Sequence, residues 1–161
     1  MTPRAYRALL LMACMGAFAG LLQAQTAKVI TIKVRDGKTG EVIDPSNVHV
    51  RFNHQQEASG NWMDQKDDGT IEVKLPQDAK TIAVRATYQN STEYFVNCDA
   101  AKQKNSFAEN WYPVTDVLMF GLAIPNDCVK PKDAGKVQRE VKPGEFILFV
   151  RKMNWKEQAL E

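Results

Sequence analysis

Histidine is scarce, at 2 of 161 residues, and cysteine is hardly commoner at 3. His49 and His54 lie far from Cys98 and Cys128, and no Cys-x-x-Cys occurs, so zinc has no ready donor set. Gly-x-Ser-x-Gly, the P-loop and the dinucleotide fingerprint are missing too. Cationic blocks are equally lacking. The nearest, Lys130 to Lys136, is interrupted by Asp133 and reads as a solvated loop, which argues against nucleic acid as a partner. There is no internal repeat and no low-complexity tract. What remains is 44% hydrophobic and 25% charged, the proportions of one ordinary globular domain, which excludes disorder, collagen and coiled coil.

The beginning of the chain reads as a secretory signal. Arg4 and Arg7 form a basic start, an apolar run follows from Ala8 to Leu22, and Leu22-Gln23-Ala24 offers a small residue before the cleavage point. Residues 1–24 are therefore expected to be a signal peptide and 25–161 one domain, with an insertion at 98–128 and a tail at 154–161. The apolar run is short of the ~20 residues that cross a bilayer, so no stable membrane span is expected after processing. A second route runs through Leu11-Met12-Ala13-Cys14, which resembles a lipobox and would leave a lipoprotein anchored at Cys14. The expected location is secreted or periplasmic, with the Cys14-anchored lipoprotein as the alternative. Removing Arg4 and Arg7 reduces the 21 basic residues to 19, equal to the 19 acidic ones, so the processed chain is formally neutral.

Export gives the cysteines a meaning. Only Cys98 and Cys128 remain beyond the leader, an even number in an oxidising compartment, and they are expected to pair. Closing that loop of 30 residues is worth roughly 3 to 4 kcal/mol in the chain-entropy model.

The rest of the pattern is strand after strand. Ile30, Ile32 and Val34 alternate with Thr31, Lys33 and Arg35, giving one apolar and one wet face. Asp36-Gly37 and Thr39-Gly40 then turn the chain. Val48, Val50 and Phe52 repeat the alternation with His49 and Arg51 outward, and Gly60 to Met63 reads as a short edge strand. Asp67-Asp68-Gly69 turns into Ile71, Val73 and Leu75, which Pro76 ends. Ile82 to Tyr88 and Glu93 to Asn97 follow, and Phe146 to Met153, apolar almost throughout, reads as central. About seven short strands at this spacing predict an all-β fold, an antiparallel Ig-like or transthyretin-like sandwich, with a barrel as the alternative.

Between the cysteines the period changes. Pro113 is placed to open a short helix with Val114, Val117 and Leu118 on one face and Gly121 at its end. With Trp111, Tyr112, Phe120, Leu122 and Ile124, the segment is too apolar for a bare loop and is expected to fold over an end or face of the sheets. Asn154 to Glu161 reads as a helical tail.

The runs Ile30-Thr31-Ile32-Lys33-Val34-Arg35-Asp36, Lys38-Thr39-Gly40-Glu41-Val42-Ile43 and Val48-His49-Val50, with Asp67-Asp68-Gly69-Thr70-Ile71 and Ile82-Ala83-Val84, resemble a carboxypeptidase regulatory-like domain, also described as transthyretin-like. The resemblance covers roughly residues 29–97. Ile32 stands where many members have Gly, and Thr87-Tyr88 where many have Gly-Tyr. The family implies a seven-strand accessory, binding or structural module and carries no catalytic residues to transfer.

Three groups of residues remain as candidate sites. Exposed aromatics stack on sugars or anchor a protein, which singles out Trp62, Trp111 and Tyr112 for binding. A small hydrolase would need His54 as base, or an acidic pair such as Asp67-Asp68, although adjacent acids before a glycine are first of all a turn. Asp64 to Leu75 has the outline of a calcium loop, but Lys66 puts a cation in the cage and Leu75 removes the last carboxylate, so no metal or cofactor is expected. The leading expectation is an exported non-enzymatic module that binds a protein, peptide or glycan of the cell envelope.

Overall fold

A computed structural model describes residues 28–44, 47–55, 62–89, 93–99, 110–130, 132–133, 137 and 140–159. The leader, with Cys14, lies outside the described residues. The described chain is mostly β. Its strands are β1 (Val29–Asp36), β2 (Asn47–Phe52), β3 (Met63–Gln65), β4 (Thr70–Lys74), β5 (Thr81–Gln89), β6 (Glu93–Asn97), β7 (Tyr112–Pro113), β8 (Leu122–Ala123) and β9 (Glu145–Lys152), with two short helices, α1 (Val114–Phe120) and α2 (Trp155–Gln158).

Strict alternation places these strands. Ile30, Ile32 and Val34 of β1 are buried while the residues between them are half-exposed, and β2 and β4 repeat the rhythm. Turn chemistry sets the ends. Asp36 Oδ1 accepts from the amides of Lys38 (2.8 Å) and Thr39 (2.9 Å), and Asp68 Oδ1 accepts from that of Thr70 (2.9 Å). Of the edge strand expected over Gly60 to Met63, only Met63 falls in β3, while 60 and 61 lie outside the described residues.

The strands form two sheets along an open path, β2-β5-β6-β9-β1-β4-β3, with β7 beside β5 and β8 beside β9. The turn between the sheets falls within β6. Tyr94 pairs with Tyr88 of β5, whereas Phe95 to Asn97 pair with Lys152 to Val150 of β9, so one short strand serves both sheets. Buried Asn97 reinforces the corner, its Nδ2 donating to the Val84 carbonyl at 2.8 Å. Val48, Val50 and Phe52 face the same way as Ala86, Val84 and Ile82 of the smaller sheet. They join Ile30, Ile32, Val34, Ile71, Val73, Phe146, Leu148 and Val150 of the larger one in a single core.

The expectation of purely antiparallel pairing does not hold. β9 runs parallel to β1, with Ile32 opposite Phe146, and parallel to β8, with Leu122 opposite Phe146. Helix α1 lies at the end of the sheets where β1 begins: Val114 N–H donates to the Lys80 carbonyl at one end, and the Val117 carbonyl accepts from Gly144 at the other. The insertion then ends at the opposite end of β1, where Cys128 lies against Gly37. The chain returns to Gly144, whose carbonyl accepts from Thr31 N–H at the start of β1, so β9 runs in the same direction as β1. β9 is central as its sequence implied, and Phe146 to Val150 are all buried, so both of its faces are covered.

α1 follows its sequence cues. Pro113 is the N-cap, Val114 and Val117 face inward, and Gly121 ends the helix at φ 73°. A Cβ there would lie 2.9 Å from the carbonyl carbon of Lys142. In the tail, Asn154 caps α2 through a reciprocal capping box with Glu157. Glu157 in turn grips Arg151 of β9 through two parallel hydrogen bonds of 2.6 and 2.8 Å, fastening the tail to the sheet.

Candidate functional site

Where β2 ends, the backbone does something unusual for its residue types. Asn53 and His54 both adopt left-handed conformations, φ 54° and 60°, in succession. Non-glycine residues enter this region at a cost, asparagine least reluctantly. Asn53 recovers that cost through its side chain. Its Oδ1 accepts from the amides of Lys80 (2.8 Å) and Thr81 (3.2 Å), and its Nδ2 donates to the Asp78 carbonyl at 3.0 Å. The amide of Asn53 therefore clamps the loop between β4 and β5 to the end of β2. Arg51 Nε closes the turn by donating to the Gln55 carbonyl at 2.9 Å.

The turn delivers His54 to Trp111. Their ring centres lie 4.0 Å apart with the planes 33° from each other, and the Arg51 guanidinium stands 5.5 Å from the Trp111 ring centre. β7 explains why Trp111 is here and Tyr112 is not. Successive residues of a strand point to opposite faces. Tyr112, paired with Ile82, lies edge-on to core Phe146 with ring centres 5.7 Å apart, which leaves Trp111 for the outer face. The Tyr112 hydroxyl donates to Asp99 Oδ2 at 2.6 Å, beside a second donor, Asn110 Nδ2, at 2.9 Å. Burial, and then the Asp99 carboxylate, hold the phenol well above its ordinary range. Tyr112 is thus committed to packing.

Beside His54 opens a shallow cleft of about 390 Å³ lined by Asn53, His54, Asp78, Lys80 and Thr81. Asn53 has spent its amide on the backbone. The Lys80 ammonium, the Asp78 carboxylate and the His54 imidazole make no hydrogen bond or ion pair to the described residues, so they are available to a visitor. Thr81 Oγ1 is fully buried and cannot reach one.

The other candidates lie elsewhere. Trp62, 37% exposed, immediately precedes β3 at the edge of the larger sheet. Asp67 and Asp68 sit in the exposed β3–β4 turn, where Asp68 is held below its ordinary range by the Thr70 amide. Next to them Lys66 bonds Asp64 Oδ2 (2.6 Å) and Glu72 Oε2 (3.1 Å), so an ammonium sits where the calcium-loop outline would place a metal.

Cys98 and Cys128 are joined, with their Cα atoms 5.1 Å apart. The bond packs directly beneath the first turn. Gly37 N–H donates to the Val150 carbonyl and its carbonyl accepts from Asn126 Nδ2, both at 2.7 Å. A Cβ on Gly37 would lie 2.9 Å from Cys128 Cβ and from Asn126 Oδ1, and would overlap Cys98 Sγ. Space, rather than an unusual φ, demands glycine here.

Of the residues singled out from sequence, the fold brings Trp111 and His54 together and leaves Trp62, Tyr112 and the Asp67-Asp68 pair apart from them. Arg51, Asn53, Asp78 and Lys80 were missed. Only Asn53 carried a signal, an asparagine directly after a strand, where its tolerance of left-handed backbone favours a turn. Comparisons with protein-family models, curated proteins and solved structures found no match. Among the described residues no helix is long and apolar enough to cross a membrane.

Proposed function

We propose that the protein is an exported, non-enzymatic binding module of the cell envelope, built on a transthyretin-like or Ig-like sandwich, with its contact site at the His54–Trp111 end of the smaller sheet. One observation carries the reading. Two successive non-glycine residues are held in left-handed backbone at the mouth of a cleft, and strain of this kind concentrates where a protein positions side chains for use. The clamp by Asn53 maintains it, and the product is a stacked His54–Trp111 pair beside an uncommitted cation and carboxylate. Export is supported by the leader pattern and by the Cys98–Cys128 bond.

A hydrolase is the second reading, because His54 and Asp78 line the same cleft. What weighs against it is the nucleophile. Among the described lining residues Thr81 alone supplies a hydroxyl, and its Oγ1 is buried. The test is the fluorescence of Trp111, isolated by Trp62→Phe and Trp155→Phe, across a panel of envelope glycans and peptides. A saturable change without turnover of the bound panel member supports the module. Turnover of any panel member that His54→Gln abolishes supports the enzyme, and an unchanged spectrum throughout removes the binding reading.

A further inference from the structure

The groups left free in the cleft have a composition that discriminates among ligands. Lys80 contributes a cation with no partner among the described residues, and the Arg51 guanidinium stands 5.5 Å from the Trp111 ring centre. Asp78 is the one carboxylate among the described lining residues, and its side chain neither pairs with Lys80 nor hydrogen-bonds a described neighbour. A cation and an acceptor standing separately, two residues apart on one loop, suit a ligand that offers both an anion and hydroxyl donors. The same ligand must present an apolar face to the His54–Trp111 stack. An acidic peptide supplies the anion but few hydroxyls, and Asp78 would repel it. A neutral sugar supplies hydroxyls and a C–H face but leaves Lys80 unpaired.

We propose that the cleft binds a carboxylated saccharide, a uronic-acid-containing glycan. The carboxylate pairs with Lys80, ring hydroxyls donate to Asp78, and the C–H face of the sugar lies against the exposed edge of the His54–Trp111 stack. The inference rests on the binding reading above and narrows it to one chemical class. The cleft is open, so each polar contact is screened by water and the site should be weak individually and strengthened by repetition along a polymer. The clamp by Asn53 fixes the backbone of Lys80 relative to that of Asp78, because its side chain donates to the Asp78 carbonyl and accepts from the Lys80 amide.

The experiment uses the exported protein and the trimers of galacturonic, glucuronic and mannuronic acid. Each is compared with its methyl ester, which keeps every ring hydroxyl and removes the charge, and hexaglutamate serves as the acidic non-sugar. Binding is read by calorimetry and by the isolated Trp111 fluorescence. At least one acid trimer should bind about fivefold or more tightly than its ester, as expected for one exposed ion pair. That preference should disappear in Lys80→Gln and in 1 M salt, while Asp78→Asn weakens acid and ester alike. If no acid trimer outbinds its ester, or if Lys80→Gln leaves the preference intact, the saccharide proposal is overturned. Hexaglutamate acting on Trp111 where no sugar does would overturn it while leaving the binding reading standing. Silence from every probe, with the fold intact by circular dichroism, would remove both.

Discussion

Replacing Gly37 by alanine adds one methyl group in the most crowded turn of the molecule. The new Cβ would meet Cys128 Cβ and Asn126 Oδ1 at 2.9 Å and overlap Cys98 Sγ. None of these is the loose end of a flexible side chain, because the sulfur is bonded to its partner and Asn126 is held by Gly37 itself at 2.7 Å. Overpacking of this kind costs about 1 to 3 kcal/mol, and loss of the Asn126 hydrogen bond adds about 1 kcal/mol, so Gly37→Ala should cost about 2 to 4 kcal/mol. The disulfide itself closes 30 residues, worth about 3.6 kcal/mol in the chain-entropy model. The two effects are coupled. With Cys98→Ala and Cys128→Ala together, the overlapping sulfur is gone and the segment is free to withdraw, so Gly37→Ala should cost at least about 1 kcal/mol less than in the bonded protein. Urea unfolding of all four forms measures the cycle. A cost of Gly37→Ala that is near zero, or identical in both backgrounds, would refute the packing of the disulfide beneath the first turn.

Other perturbations test the parts separately. Asn53→Ala removes three side-chain hydrogen bonds and puts alanine in a left-handed position, for a loss of about 2 to 3 kcal/mol, whereas Asn53→Gly relieves the backbone and should lose less; thermal unfolding ranks them. Tyr112→Phe leaves the Asp99 carboxylate short of its 2.6 Å donor and should cost about 1.5 to 3 kcal/mol in urea, with far-ultraviolet dichroism unchanged. Hydrogen bonding from Arg151 holds the Glu157 carboxyl at about 2, below its ordinary 4.5. A depressed carboxyl stabilises the fold above its unfolded value, and the contribution is lost as pH falls through the folded one. Docking of α2 should therefore persist at pH 5 and fail between about 4.5 and 2. Exchange of the Glu157 and Gln158 amides reports this, and equal protection at pH 5 and 2 would contradict it.

Period-two patterning made most of the strands legible, since each buries one face and the sequence records which. α1 was equally plain, because proline, two inward valines and a glycine bracket it. What the pattern did not encode was direction. Alternation is the same for a parallel and an antiparallel neighbour, so the β1–β9 pairing depends on where the chain re-enters at Gly144, beside Thr31. Nor did it reveal the shared strand β6, whose first two residues serve one sheet and the rest the other. The cleft was half visible. Trp111 and His54 stood out as residue types, but 57 residues separate them. Only the β2–β5 and β5–β7 pairings make them neighbours. Asp78 and Lys80 look like any surface loop until Asn53 is seen to hold their backbone. Tyr112 illustrates the opposite error, an aromatic beside a binding candidate that one step along a strand turns into the core.

In the proposed site Trp111, rather than Trp62 or Trp155, meets the ligand. The three tryptophans give three indole N–H resonances in a proton–nitrogen correlation spectrum. On titration with the tightest-binding saccharide or peptide, the Trp111 indole should move together with the backbone amides of His54 and Lys80, while Trp62 and Trp155 stay in place. Movement of Trp62 or Trp155 with Trp111 and His54 unaffected would contradict it.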